Sequence, residues 1–92
     1  MALLRCTLSE GPRPGFTTVG IPSIEGRYEY LTIEDNFLAK RGNDRFLPVF
    51  IVGRDPRYDT ALVELPDEAD SGAQRVWVRW ADLIPKPGEV PA

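Results

Sequence analysis

The segment Phe46-Leu-Pro-Val-Phe-Ile-Val-Gly53, which continues as Arg54-Asp-Pro-Arg-Tyr-Asp59 and Thr60-Ala-Leu-Val-Glu-Leu65, decides the fold. Two apolar runs flank a short polar segment that contains a proline. The first run is apolar at almost every position, which is typical of a strand covered on both faces. The pattern predicts a buried antiparallel hairpin that serves as scaffold, with its tip at residues 54–59.

Length and composition predict one small all-β domain over residues 1–85, followed by a flexible C-terminal tail at 86–92. The chain has 92 residues, of which 42% are apolar and 27% charged, a composition that folds without metals or disulfides. It contains one cysteine, Cys6, and no histidine. A disulfide within the chain and the usual zinc ligand sets are therefore excluded, and we expect no metal and no cofactor.

Charge and hydropathy narrow the expected partners and location. The net charge of −3 disfavours a nucleic acid, because phosphate binding depends on clustered Lys and Arg. Arginine greatly outnumbers lysine, which favours paired contacts or an interface. No apolar run approaches the ~20 residues of a membrane span. We therefore expect a soluble cytoplasmic protein that binds a protein partner and is a monomer or a weak homodimer.

The rest of the chain divides into short strands separated by turn residues. Alternating or β-branched patterns predict strands at 2–8, 16–21, 28–33, 37–40 and 74–80, the second of them at a sheet edge. Turn chemistry at 34–36 and 41–44 predicts two tight hairpins, and 81–84 suits a short 3₁₀ turn. With no long helical pattern, this order predicts an antiparallel meander in a small barrel or sandwich.

The C-terminal part of the chain suggests which type of small β-barrel the sequence resembles. The run Val76-Trp-Val-Arg-Trp-Ala-Asp-Leu-Ile-Pro85, a strand passing into a one-turn helix, resembles the ending of SH3-like barrels. The resemblance covers roughly residues 37–85 in element order and implies an SH3-like β-barrel. The aromatic-acidic loop and the Trp-Trp or Trp-Tyr pair of Src-homology-3 domains have no counterpart here, so recognition of proline-rich peptides does not carry over.

Catalysis has little support in the sequence, and we predict no catalytic residue. The serines have no histidine to accept a proton, and Cys6 has no base near it in sequence. Two groups of carboxylates could act as acid and base or hold a cation, although solvated acidic loops explain them better. These groups are Glu34 with Asp35, and Asp67 with Glu68 and Asp70.

The last strand carries the first candidate binding residues. Strand alternation places Val76, Val78 and Trp80 on one face and Arg75, Trp77 and Arg79 on the other. If the first set fills the core, a tryptophan between two arginines faces outward, a composition common at protein interfaces. The alternative is that Trp77 covers a second small core under the segment 11–15, while the arginines bridge to Glu29, Glu64 or Asp82.

The hairpin tip carries the second candidate set, Arg54, Arg57 and Tyr58. Loop tips on a rigid scaffold often carry function, although Asp55 and Asp59 could neutralise both arginines locally. The leading hypothesis is a non-catalytic interaction module that binds a protein through the Trp77 face or the tip. The alternative is a nucleic-acid-associated β-barrel module that uses these arginines with Trp77, and a third is an enzyme that uses carboxylates.

Overall fold

The computed structural model describes residues 1–84, and this part of the chain contains nine β-strands and two single-turn 3₁₀ helices. The 3₁₀ helices lie at Asp35–Phe37 and Trp80–Asp82. The predicted C-terminal tail lies outside the described residues. The strands are β1 (Ala2–Leu4), β2 (Thr7–Glu10), β3 (Phe16–Pro22), β4 (Tyr28–Glu34), β5 (Ala39–Arg41), β6 (Asp44–Asp55), β7 (Thr60–Glu64), β8 (Arg75–Arg79) and β9 (Leu83–Ile84).

The strands form two antiparallel sheets, so the predicted all-β class is confirmed. One sheet has six strands in the order β8-β7-β6-β1-β9, with β5 also paired to β6, and the other has the order β2-β3-β4. Within residues 1–84 no ladder of hydrogen bonds joins the two sheets. A closed barrel requires such continuous pairing, and the structure shows no closed barrel. The predicted barrel closure is therefore corrected to two separate sheets that share a core.

The central hairpin is confirmed, but its first arm is not buried on both faces. β6 and β7 pair antiparallel, with a bulge between Ile51 and Gly53. The first half of β6 is buried from Phe46 to Val49, whereas Phe50 is 53% exposed and Val52 is 42% exposed. The buried half lies beside β1 and β5, while the second half has only β7 as a neighbour. Phe50 and Val52 are the exposed residues of the second half, so the face that carries them is open to solvent.

The first predicted strand is split between the two sheets. β1 pairs with β6 and β9, whereas β2 pairs with β3 in the other sheet. The chain crosses between the sheets at Arg5, whose backbone N–H donates to the Asp82 carbonyl oxygen at 2.8 Å. The predicted alternation of buried and exposed residues continues on both sides of Arg5, since Ala2 and Leu4 are buried while Cys6 and Leu8 pack partly against the same core.

The core lies between the two sheets and draws on both. Its apolar side chains come from the inner faces of β1, β6, β7 and β8 on one side and of β3 and β4 on the other. Sheets packed face to face bury alternate residues in this way. The fully buried larger members are Leu4, Val19, Ile21, Leu31, Leu47, Val49, Val63 and Val78.

Two other local predictions were wrong and two are confirmed. Segment 16–21 is not an edge strand, because β3 pairs with both β2 and β4. β4 forms no hairpin with β5, since the 3₁₀ turn at Asp35–Phe37 carries the chain to the other sheet. The turn at residues 41–44 is confirmed, with Gly42 at φ 62°, a conformation that glycine adopts readily. The predicted C-terminal 3₁₀ turn is also present, one residue earlier than expected.

Candidate protein-binding face

The face of the six-stranded sheet that points away from the core carries the candidate residues of β8. Val76 and Val78 are buried, whereas Arg75 and Arg79 are exposed and Trp77 is half-buried. Directly paired residues of neighbouring strands lie on the same face of a sheet. The pair Leu62–Trp77 therefore extends this surface onto β7. We call this surface the outer face.

Trp77 lies at the edge of the outer face and contacts a segment that the sequence did not identify. The backbone N–H of Ile24 donates to the Trp77 carbonyl oxygen at 3.1 Å. A small cavity of about 130 Å³ is lined by Ile24, Asp55, Tyr58, Thr60 and Trp77. Trp77 is therefore neither a core residue nor freely exposed, but one wall of a shallow hollow.

The segment 11–15, which the sequence suggested as a cover for Trp77, contacts other residues instead. The Gly15 carbonyl oxygen accepts a hydrogen bond from the backbone N–H of Asp35 at 3.0 Å. Arg13 lies over the ring of Phe16, with its guanidinium carbon 4.1 Å from the ring centroid. These contacts bind the segment to the beginning of β3 and the end of β4.

The two arginines of β8 form ion pairs with carboxylates that the sequence had suggested. Arg75 Nε is 3.3 Å from Glu64 Oε1, and Arg79 Nε is 3.0 Å from Asp82 Oδ2. Glu29, the third suggested partner, instead accepts a hydrogen bond from the Ser71 hydroxyl. The predicted bridges to Glu64 and Asp82 are confirmed, so both guanidinium groups already have an anionic partner.

Arg54, at the hairpin tip, is a structural residue rather than an exposed ligand contact. Its guanidinium donates to the carbonyl oxygens of Thr60 at 2.9 Å and Asp55 at 3.2 Å, and pairs with Asp59 at 3.0 Å. The guanidinium carbon also lies 4.1 Å from the ring centroid of Trp80. Only 17% of the Arg54 side chain is exposed. Arg54 therefore connects the tip to the 3₁₀ helix that follows β8.

The remaining tip residues divide between an ion pair and an exposed aromatic ring. Arg57 donates to the Asp55 carboxylate, with Nε 3.2 Å from Oδ1. This hydrogen bond lowers the pKa of Asp55 and raises the pKa of Arg57. Tyr58 is 72% exposed, and Asp59 has a positive φ of 54°. As the sequence suggested in the alternative, the tip neutralises its own arginines, and only Tyr58 is left open toward the Trp77 cavity.

The sequence missed the larger part of the outer face, which lies on β6, β1 and β9. Phe50 is opposite Glu64, and the bulge residue Val52 is exposed beside them. Pro48, Leu3 and Ile84 are register partners across β6, β1 and β9, but Pro48 is buried and Leu3 half-buried, so only Ile84 of this row is exposed. The signal was present, because residues 46, 48, 50 and 52 share one face of a strand. An apolar run of this kind is typical of burial on both faces, but it also suits an apolar surface that another molecule covers.

Of the groups that could support chemistry, Glu34 and Asp67, one from each predicted carboxylate group, line one cavity of about 340 Å³. Burial raises the pKa of the Cys6 thiol, which disfavours the reactive thiolate. Asp35 accepts a hydrogen bond from the Thr17 hydroxyl, and Asp67 from the backbone N–H of Glu68. Within residues 1–84 no three His, Cys, Asp or Glu side chains are placed to share a metal ion. The same residues include no helix long and apolar enough to cross a membrane.

Comparisons with protein-family models, with curated proteins and with solved structures found no match to this chain. The resemblance to SH3-like barrels therefore stays a prediction at the level of architecture. The outer face, the hairpin tip and their charges are therefore the features that bear on function.

Proposed function

We propose that this chain is a non-catalytic protein-binding module whose outer face docks a partner protein. The observation that carries the proposal is the exposure of apolar side chains at the centre of a regular sheet. Phe50 and Val52 are exposed beside the partly covered Leu62 and Trp77. Exposed apolar side chains grouped on neighbouring strands can mark a protein interaction site, and aromatic anchors contribute much of the energy at interfaces.

The charges around the outer face indicate the chemistry of the partner. In the Arg79–Asp82 pair, 69% of the arginine side chain is exposed against 10% of the aspartate. Arg75 and Arg57 are likewise more exposed than the carboxylates that they contact. Cations therefore face solvent along β8 and at Arg57, whereas in the Arg54–Asp59 pair the carboxylate is the exposed member, at 71% against 17%. A complementary partner has an apolar centre and carboxylates at its border, because opposite potentials across an interface favour association.

The charges also favour a protein over a nucleic acid at this face. Arg54, Arg57, Arg75 and Arg79 each pair with a carboxylate of the same chain. A nucleic acid would depend on these arginines for most of its affinity, and its phosphates would have to displace those carboxylates in a chain of net charge −3. The apolar centre, by contrast, matches a protein surface. We retain the cytoplasm as the expected compartment, because the single cysteine offers no disulfide within the chain.

Selection from a random peptide library tests the proposal and does not require the partner to be identified first. Peptides displayed on phage are selected against the purified chain, and the bound peptides are sequenced and synthesised. We expect selected peptides that combine aromatic or aliphatic residues with Asp or Glu. In titrations by NMR, we expect their binding to perturb the amides of β6, β7 and β8.

Matched variants locate the binding surface. Phe50→Ser should weaken peptide binding roughly tenfold or more, since hot-spot aromatics contribute about 2 kcal/mol or more. Phe37→Ser is the control, because Phe37 is a comparably exposed aromatic in the 3₁₀ turn that leads to the other side of the fold. Equal binding by both variants would overturn the proposal. So would sedimentation showing that the outer face instead forms a dimer of this chain, abolished by Phe50→Ser.

A further inference from the structure

The β5–β6 hairpin places two basic side chains directly opposite each other. Lys40 and Arg45 are register partners one residue pair away from the turn at Gly42 and Asn43. Directly opposed side chains lie about 5 Å apart at Cβ, and like charges in that position are destabilising. Arg45 is also partly buried, which reduces the hydration available to its charge.

Neither cation has an anionic partner within the part of the chain that the structure describes. Five other arginines form ion pairs, namely Arg27, Arg54, Arg57, Arg75 and Arg79. The nearest acid in the hairpin, Asp44, is the register partner of Arg41 and so belongs to the opposite face of the ribbon. A chain with more acids than bases thus leaves two adjacent cations uncompensated.

A cavity of about 330 Å³ opens at this position, lined by Lys40, Gly42, Asn43 and Arg45. Its three polar side chains offer an ammonium, a guanidinium and a carboxamide, all of which donate hydrogen bonds. Lys40, Gly42 and Asn43 are exposed and Arg45 is half-buried, so the cavity is an open depression at the turn of the hairpin. Two cations and an amide donor without a carboxylate define a site for a compact dianion.

We propose that this cavity binds a phosphate monoester. Its second pKa of about 6 makes the group a dianion at pH 7.5, which matches the two cations in charge. Guanidinium groups bind phosphate oxygens through paired hydrogen bonds, while a lysine contributes a point charge. Binding relieves the repulsion between Lys40 and Arg45. This site is independent of the outer face, so each can fail without the other.

NMR titration of the full chain tests the site with defined probes. Inorganic phosphate, phosphoserine and adenosine monophosphate are added separately at pH 7.5, with ionic strength held constant by sodium chloride, and acetate serves as the monoanionic comparison. We expect saturable shifts of the Gly42 and Asn43 amides with both monoesters and much weaker effects of acetate. A monoester that binds more tightly than inorganic phosphate identifies a contribution from its organic part. Binding of inorganic phosphate alone would overturn the proposal.

Two variants separate the site from general charge effects. Arg45→Gln and Lys40→Gln should each weaken monoester binding roughly tenfold or more, because each removes charge-assisted hydrogen bonds. Without ligand, their melting temperatures should stay equal to the parent or rise, since a like-charge contact is lost. Arg27→Gln removes a charge from an exposed arginine elsewhere and should leave the affinity unchanged. Shifts that do not saturate, or that weaken equally in Arg27→Gln, would contradict a specific site.

Discussion

The hairpin tip and the outer face both carry candidate binding residues, but the tip residues form ion pairs with each other, whereas apolar residues of the outer face stay exposed. At the tip, Arg54 pairs with Asp59, and Arg57 pairs with Asp55. On the outer face, Phe50 and Val52 remain exposed and nothing in the described residues covers them. The tip neutralises its own charges, whereas the outer face presents apolar side chains that no residue of the described part of the chain covers.

The difference follows from the range of the two interactions. A carboxylate two to five residues away can reach a guanidinium within a turn, so a tip can neutralise its charges through its own chain neighbours. An apolar side chain on a sheet cannot be covered from water by its neighbours on the same face, because those side chains point in the same direction. Exposed apolar residues on a regular strand are therefore the more informative sign of a partner.

The largest effect on stability should come from Arg54→Ala. This change removes the contact with Trp80, the hydrogen bonds to two backbone carbonyls and the pair with Asp59. Because Arg54 is mostly covered, we expect the free energy of unfolding to fall by about 2 kcal/mol. Urea denaturation followed by tryptophan fluorescence measures the change.

Arg57→Ala is the matched control for Arg54→Ala, at the same tip. The Arg57–Asp55 pair is formed by a well-exposed arginine, and such surface pairs add little to stability. We expect its urea midpoint to lie close to that of the parent. If both variants lost the same stability, the tip would be held by its charges in general, and the distinct role of Arg54 would be wrong.

A second effect, about half as large, should appear at Asp59. Its φ of 54° lies in the left-handed region, which costs residues with a Cβ roughly 1–2 kcal/mol. Asp59→Ala and Asp59→Gly both remove the carboxylate that pairs with Arg54, but only glycine is free of the backbone cost. We expect the glycine variant to be more stable than the alanine variant by about 1 kcal/mol in urea denaturation. Equal stability of the two variants would show that residue 59 leaves the left-handed conformation when alanine replaces aspartate.

The sequence predicted the fold class and the ion pairs better than the surface. Alternation assigned Val76 and Val78 to the core, and the charge pattern suggested the pairs that Arg75 and Arg79 form. These predictions depend on strand periodicity and on residues in adjacent strands, which a sequence displays directly.

What the sequence could not supply was the arrangement of strands far apart in the chain. β1 inserts between β6 and β9, a pairing that no local pattern specifies. Nor does a local pattern show where along the apolar run from Phe46 to Val52 burial on both faces gives way to an exposed face. The exposure of Phe50 depends on whether another part of the fold packs on that face, so the outer face became visible only in the structure.

Phe50→Ser should have a smaller effect on stability than Arg54→Ala and than the difference between the two Asp59 variants. The side chain is more than half exposed, and surface substitutions usually change stability by no more than about 0.5 kcal/mol. The variant would therefore remove the proposed anchor and leave the fold in place. Urea denaturation provides the test. A loss of more than about 2 kcal/mol, typical of core residues, would show that Phe50 is structural and would weaken the contrast with the tip.

The smallest expected effect is a change in pH dependence at the tip. The hydrogen bond from Arg57 lowers the pKa of Asp55 in the folded chain, whereas the unfolded chain keeps the ordinary value. The pair therefore contributes its stability above the ordinary aspartate pKa, and this contribution is lost as the pH falls through the lower folded pKa. A carboxyl ¹³C titration by NMR should give Asp55 a pKa below that of a typical aspartate, and Arg57→Gln should raise this pKa toward the ordinary range. If Arg57→Gln left the pKa of Asp55 unchanged, the tip would not neutralise its charges through this pair, and Arg57 would be available to a partner like the exposed residues of the outer face.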